Sequence, residues 1–322
     1  MNDIRWFAPN RYTTLVVSEL RARGLSIATE GMDCARLAVS MSGTTALDTW
    51  RFTRRHGCPI VLYLWDLPPK ATGTGTHDPV FSIGRHLVRI PRLTGGFGRR
   101  RGHYSRLRYI AARSQEIWVP GQTSRELVRN RFGLESRAVP YCYDSGRFRR
   151  EPVARDVPPT LLTVGRLQVH KNHAATLRVA SQLRTEVQVR LIGRGPELQC
   201  LEQLARSLSV RCRIDTDVDD AGVADAYRRS RVAVCPSRFE GFGLTPIEAV
   251  ASGTPVAASD ILPHREFVGA AARLFPLDDD RAMTETVAQA LDDEPPNAEA
   301  VSQLTVSAAA DRFLTFLRPL LR

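Results

Sequence analysis

Pro236-Ser237-Arg238-Phe239-Glu240-Gly241-Phe242-Gly243-Leu244-Thr245-Pro246-Ile247-Glu248 follows the apolar run Val232-Ala233-Val234-Cys235. Four apolar residues in succession read as a strand buried on both faces. Gly241 and Gly243 let the backbone pass close to a ligand. Thr245 and Pro246 predict the cap and first turn of a helix that continues through Ile247, Glu248, Ala249 and Val250. A strand, a glycine-rich turn and a helix N-terminus together form an anion site, because free backbone N–H groups converge there. Glu240 stands before the turn and Glu248 inside the helix, eight residues on.

This arrangement suits a nucleoside diphosphate sugar. The amides of Gly241, Phe242, Gly243 and Leu244 are expected to stabilise the diphosphate, with Thr245 beside them as a further donor-binding residue, and the two carboxylates to accept hydrogen bonds from sugar and ribose hydroxyls. The plainer alternative is a strand-to-helix turn with two surface glutamates. The stretch resembles the Glu-x7-Glu motif of retaining glycosyltransferases with the GT-B fold, in particular family 4, and the likeness runs on through Ala249, Gly253-Thr254-Pro255-Val256 and Ala257. The resemblance implies an α/β chain of two Rossmann-like domains facing a central cleft. It also implies a terminal helix crossing back to the first domain, retention at the anomeric carbon and no obligatory metal. The donor expected is a UDP-, GDP-, ADP- or dTDP-sugar, with base and sugar left open. Glu240 is expected to orient the sugar and Glu248 the ribose.

A second basic element precedes it. Thr160-Leu161-Leu162-Thr163-Val164 reads as a strand, followed by Gly165-Arg166-Leu167-Gln168-Val169-His170-Lys171-Asn172 and a helix from about His173. Gly165 permits close backbone approach, and Arg166 and Lys171 place two cations at a strand end, where a departing diphosphate gains negative charge. The alternative is two surface cations. The segment resembles the family's Gly-Arg-Leu-x3-Lys-Asn element, whose Arg and Lys hold the donor phosphates. Strand Val187–Ile192 leads to Gly193-Arg194-Gly195-Pro196, a weak signal alone that resembles the family's loop beside the nucleotide base. Asp215-Thr216-Asp217-Val218-Asp219-Asp220 has the look of a metal clamp. Its place before a helix favours ordinary capping instead.

In the first half, Ile4–Phe7, Arg36–Ser40, Pro59–Trp65 and Glu116–Pro120 read as strands. Tyr12–Arg23, Ala46–His56 and Thr123–Arg131 read as helices. Such alternation predicts a doubly wound parallel sheet. Ligands of these sheets lie past the carboxyl ends of the strands. Asp66, just after Leu64-Trp65, is therefore the candidate for a contact to the reacting sugar or the acceptor, or is simply a turn residue. Trp118–Thr123 and Val139–Asp144 with Phe148 resemble the same family. Ala8-Pro9-Asn10-Arg11 departs from its usual Gly-Gly loop, and Trp65-Asp66 stands where many members carry a histidine.

With 322 residues, 43% hydrophobic and 25% charged, the chain has room for two soluble globular domains. The expected division is 1–150 for the acceptor, 151–305 for the donor and 306–322 for the returning helix, with 149–159 as linker. Six scattered cysteines, at 34, 58, 142, 200, 212 and 235, read as free thiols and argue against zinc. No apolar segment has the ~18 residues of a membrane span, and the N-terminus lacks a signal-peptide pattern, so a cytoplasmic location is expected. The net charge of +11 is uneven: Arg85–Arg113 holds nine arginines and no acidic residue. Arginines among apolar residues suit an anionic membrane surface or an acidic glycan or lipid-linked acceptor. A solvated basic face is the alternative, and nucleic acid is the least favoured. Two other functions stay open: a GT-B nucleotide-sugar epimerase, and a non-catalytic module that binds nucleotide sugar or docks at membranes. A Rossmann dehydrogenase is disfavoured for want of G-x-G-x-x-G opening a helix.

Overall fold

The computed structural model describes residues 2–7, 11–31, 34–65, 71–72, 80–83, 86–89 and 97–322. The chain forms two compact units, Met1–Cys142 with Val306–Arg322, and Tyr143–Thr305. The stretch 149–159, expected as a linker, clusters with the second unit, so the division falls at 142/143 rather than 150/151.

The first unit runs β1 (Asn2–Phe7), α1 (Arg11–Ala22), β2 (Ile27–Ala28), β3 (Ala35–Ser40), α2 (Ala46–His56) and β4 (Ile60–Tyr63). Then come β5 (Ala71–Thr72), β6 (Val80–Ile83), β7 (His86–Arg89), α3 (Phe97–Ala111), β8 (Glu116–Val119), α4 (Gln122–Phe132) and β9 (Arg137–Ala138). Its main sheet is parallel throughout, in the order β2-β1-β3-β4-β8-β9. Strands β5, β6 and β7 form a small antiparallel sheet that the hydrophobic pattern does not announce.

The second unit runs β10 (Thr160–Val164), α5 (His173–Gln182), β11 (Gln188–Ile192), α6 (Leu198–Ser207), β12 (Cys212–Asp215), α7 (Asp220–Arg229) and β13 (Val232–Cys235). It continues α8 (Leu244–Ala251), β14 (Val256–Ser259), α9 (Leu262–Val268), β15 (Arg273–Phe275) and α10 (Asp280–Ala290). The sheet order is β12-β11-β10-β13-β14-β15, again parallel in every pairing. Leu161, Leu191, Val232, Val234 and Ala257 are fully buried, as both-face burial of parallel strands demands. A 3-10 segment, Ala298–Leu304, precedes the last helix, α11 (Val306–Leu320).

Helix α11 belongs to the first unit, where it packs on α1. Phe313 is its anchor. The ring lies 5.8 Å from Trp6, 6.0 Å from Tyr63 and 5.5 Å from Trp118, centroid to centroid, and all four residues are fully buried. Aromatic contacts at these spacings add to the area that each ring removes from water.

Candidate active site

The second sheet reverses direction between β10 and β13. From β10 the chain steps outward to β11 and β12; from β13 it steps the other way to β14 and β15. Beyond the carboxyl ends of two such strands the connections diverge and leave a crevice, the usual ligand position in open α/β sheets. The loops on either side are 165–172 and 236–243, the two stretches singled out in the sequence.

The first loop is held by its own backbone and by a histidine. The N–H of Gly165 donates to Ile192 at 2.9 Å, and a 3-10 turn, Val169–Lys171, delivers the chain to Asn172. His173, fully buried at the start of α5, donates from Nε2 to the Arg166 carbonyl at 3.0 Å. The second loop is tied across to the first, since Arg238 N–H donates to His170 O at 2.8 Å. It is tied to β14 as well, where Ser259 Oγ donates to Ser237 O at 2.5 Å.

Lys171 and Glu240 meet across this switch point. Lys171 Nζ donates to Glu240 Oε1 at 2.5 Å, and Ser237 Oγ donates to the same oxygen at 2.7 Å. The two side chains are 15% and 11% exposed. Burial pushes the Glu240 carboxyl up; the Lys171 charge and hydrogen bond, His264 and Ser237 outweigh it, leaving it below the ordinary carboxylate value. Burial, then the Lys171 charge, pushes His170 down to about 4. Burial likewise pushes His173 down to about 4, against the hydrogen bond to the Arg166 carbonyl. At neutral pH the pocket therefore carries one lysine–carboxylate pair among uncharged imidazoles. Arg166 is exposed at its rim.

Helix α8 opens two residues earlier than expected. Gly243 is its cap with φ 86°, Leu244 is the first helical residue, and Pro246 is the third rather than the first. A positive φ costs glycine nothing, which is why the turn can close there without a side-chain cap. Phe242 is 7% exposed, with its ring 4.5 Å from Phe267, so its side chain anchors the turn in the core. Leu244, Thr245 and Gly241 are half-buried. Glu248, on the second turn of α8, is 4% exposed. Burial pushes the Cys235 thiol up to about 12; it is hydrogen-bonded to Thr245 and feels the charges of Glu240, Lys171 and Glu248, all gathered at the end of β13.

Gly193 and Gly195 have a packing reason to be glycine. A Cβ on Gly193 would stand 1.9 Å from the Gly165 carbonyl oxygen, and one on Gly195 would stand 2.2 Å from that of Leu167. Leu167 N–H donates to Arg194 O at 2.9 Å across the same seam. The two loops after β10 and β11 are thus in backbone contact.

The acidic run is fully employed in structure. Asp215 pairs with Arg190 at 2.8 Å and Arg213 at 2.7 Å, and Asp217 with Arg194 at 2.5 Å. Asp219 caps α7, accepting from Gly222 N–H at 2.8 Å, and Asp220 pairs with Arg147 at 2.8 Å. Asp66 lies outside the described residues, as do Ala8-Pro9-Asn10, the side chain of Arg11, and much of Arg85–Arg113. In the described end of that run, Leu107 and Ile110 are core residues, while Arg113 lies over the Tyr109 ring at 3.7 Å. No described helix is long and apolar enough to cross a membrane. Ser237 and His173 lie within a few residues of Glu240 and Lys171 in the chain, whereas Ser259 and His264 carry no motif of their own and reach the pair only because β14 lies beside β13.

Residues 144–305 match the family described as glycosyl transferases group 1. The chain is 32% identical over 181 residues to a phosphatidyl-myo-inositol mannosyltransferase of Mycolicibacterium smegmatis, covering 53% of this chain and 47% of that protein. It is 39% identical over 133 residues to D-inositol 3-phosphate glycosyltransferase 2 of Catenulispora acidiphila, covering 36% and 30%. It thus spans about half or less of the length of these relatives. Among solved structures, sucrose-phosphate synthase from Thermosynechococcus elongatus superposes with a TM-score of 0.69 at 15% identity, over 100% of this chain and 96% of that one. HepE from Anabaena, in complex with UDP, superposes with a TM-score of 0.70 at 12% identity, over 99% and 100%. These likenesses establish the fold, two Rossmann-like α/β units of the GT-B class. With half its length matched, and that half carrying the Lys171–Glu240 site, the chain belongs to the glycosyl transferases group 1 family.

Proposed function

We propose that this protein transfers a glycosyl group from a nucleoside diphosphate sugar to a glycan or lipid-linked acceptor, with retention of anomeric configuration. The observation that carries the reading is the Lys171–Glu240 pair, set across the sheet's switch point beside the Gly243 turn. An ammonium already placed and partly desolvated stabilises charge that grows on a departing diphosphate, with little reorganisation. Arg166 at the rim and the amides of residues 241–244 complete the cradle. Glu240, held ionised, accepts hydrogen bonds from sugar hydroxyls, and Glu248 serves the ribose.

In the reaction the bond between the anomeric carbon and the diphosphate oxygen breaks. The acceptor oxygen bonds to that carbon from the same face, and its proton passes to the leaving phosphate. No metal is required by this scheme. Asp66 is assigned the contact to the reacting sugar or the acceptor. The names of the relatives, which act on phosphatidylinositol and inositol phosphate, support an anionic acceptor, and the basic segment Arg85–Arg113 is complementary to one or to an anionic membrane surface.

The test is an assay of donor consumption with UDP-, GDP-, ADP- and dTDP-sugars, with and without acceptor, for the wild type and for Lys171→Ala and Glu240→Ala. Each variant is expected to lose roughly 10²–10³-fold in rate while keeping its fold. Full turnover in both variants would remove the site. Conversion of the donor alone would identify an epimerase, and tight binding without any turnover a non-catalytic module.

A further inference from the structure

The lysine–glutamate pair leaves one group at the site without a role. His264, on α9, is 1% exposed. Its Nδ1 stands 2.8 Å from the Ser259 carbonyl oxygen and so carries the proton donated to it. Its other nitrogen, Nε2, is buried with no hydrogen-bond partner. The Cδ2–Nε2 edge lies against the turn that opens α8: a Cβ on Gly243 would meet Cδ2 at 3.1 Å and Nε2 at 3.5 Å. A neutral imidazole in this tautomer turns a lone pair toward a helix N-terminus, where the first amides attract anions. A lone pair is the wrong partner for an anion. One proton converts the same nitrogen into a donor that matches it.

The surrounding charges decide when that proton binds. Burial lowers His264 below the ordinary histidine value, Glu240 and Asp260 raise it, and Lys171 lowers it. Of the other elements packed on α9, α8 carries Glu248 and the 3-10 segment Ala298–Leu304 carries Glu299, while α9 itself carries Arg265 and Glu266. A diphosphate arriving at this turn adds negative charge beside the ring and favours the protonated form.

We propose that His264 takes up a proton when the nucleoside diphosphate sugar binds, and that its Nε2–H then donates to the diphosphate at the N-terminus of α8. This rests on the reading of the site as the donor site given above. The proton comes from solvent and returns to it on release. His264 is thereby a binding residue that couples donor affinity to pH. The charged state is favoured in the complex, so affinity is highest at low pH and is lost as pH rises through the bound-state value.

The experiment is isothermal titration of the full chain with UDP-glucose and GDP-mannose, whose diphosphates do not titrate near neutrality. It is run between pH 6 and 8 in two buffers of different ionisation heat. The expected result is net uptake approaching about one proton per sugar nucleotide bound, with affinity falling by up to about tenfold per pH unit wherever that uptake is near one. In His264→Gln the uptake disappears, and binding at pH 6 is weaker by about ten- to a hundredfold. Binding without uptake, or uptake that persists in the variant, overturns the His264 proposal and leaves the donor site standing. Failure of every nucleotide sugar tried, including ADP- and dTDP-glucose, overturns both. If the variant does not fold, nitrogen NMR of the wild-type histidines decides. One ring must pass from the Nδ1–H tautomer to the doubly protonated form on donor binding. Change only in a ring that starts as Nε2–H, as His173 does, or no change at all, contradicts the proposal.

Discussion

Glu240 shows how one neighbour sets the state of a half-buried acid. Burial alone pushes its carboxyl up, and Lys171 brings it back below the ordinary value. Stability from the pair is therefore present above the carboxylate range and is lost as pH falls through the folded-state value. Lys171→Ala removes the cation and leaves only Ser237 and His264 to oppose the effect of burial on the acid. The variant should melt below the wild type at pH 8, by the equivalent of roughly 1–3 kcal/mol, and the gap should close as pH falls toward 4. A gap independent of pH would show that the pair does not govern the acid. The lowered histidines act in the same direction. His170 and His173, pushed down to about 4, resist the protonation that the unfolded chain accepts near 6.5. Thermal melting should accordingly drop as pH falls from 6.5 toward 4. At this scale the sequence revealed Lys171 and Glu240, because each sits in a spaced motif. His264 and Ser259 were not legible: nothing local marks them, and they reach the site only because β14 lies beside β13.

Elements with a sustained apolar or helical pattern were readable, and the shortest edge strands were missed. Strands β10 and β13 lie where Thr160–Val164 and Val232–Cys235 placed them, and α2 spans Ala46–His56 as read. Strands β9 and β15, two and three residues long at sheet edges, show no apolar run from which to read them. The early start of α8 escaped because glycine caps it through backbone conformation, leaving no side-chain signal. Gly193 and Gly195, read as a loop beside the nucleotide base, also have a packing reason to be glycine, since each lies against a backbone carbonyl of the loop after β10. Gly193→Ala would drive a methyl into the Gly165 carbonyl. It should destabilise the second unit by on the order of 3 kcal/mol and weaken donor binding by displacing the loop that carries Lys171. In the first unit, Phe313→Ala empties the ring cluster of Trp6, Tyr63 and Trp118. A loss of about 3–5 kcal/mol is expected. A melting curve unchanged by Phe313→Ala would mean that α11 does not hold that unit together.

At the scale of the whole molecule, the family match covers 144–305, almost the full extent of the second unit. That unit holds every residue proposed for the donor: Gly165, Arg166, Lys171, Gly193, Gly195, Glu240, the turn from Gly241 to Thr245, and Glu248. The first unit is a separate parallel sheet completed by the last helix of the chain. The motifs behind the proposed donor site lie at strand ends, where a spaced pattern survives in sequence. The most direct test is a crystal structure of the protein with whichever of the four nucleotide sugars raises its melting temperature. The diphosphate should lie within hydrogen-bond distance of Lys171 and of the amides at the start of α8, with the sugar against Glu240. A nucleotide sugar bound away from the ends of β10 and β13, with the Lys171–Glu240 pair unbroken and untouched, would contradict the account.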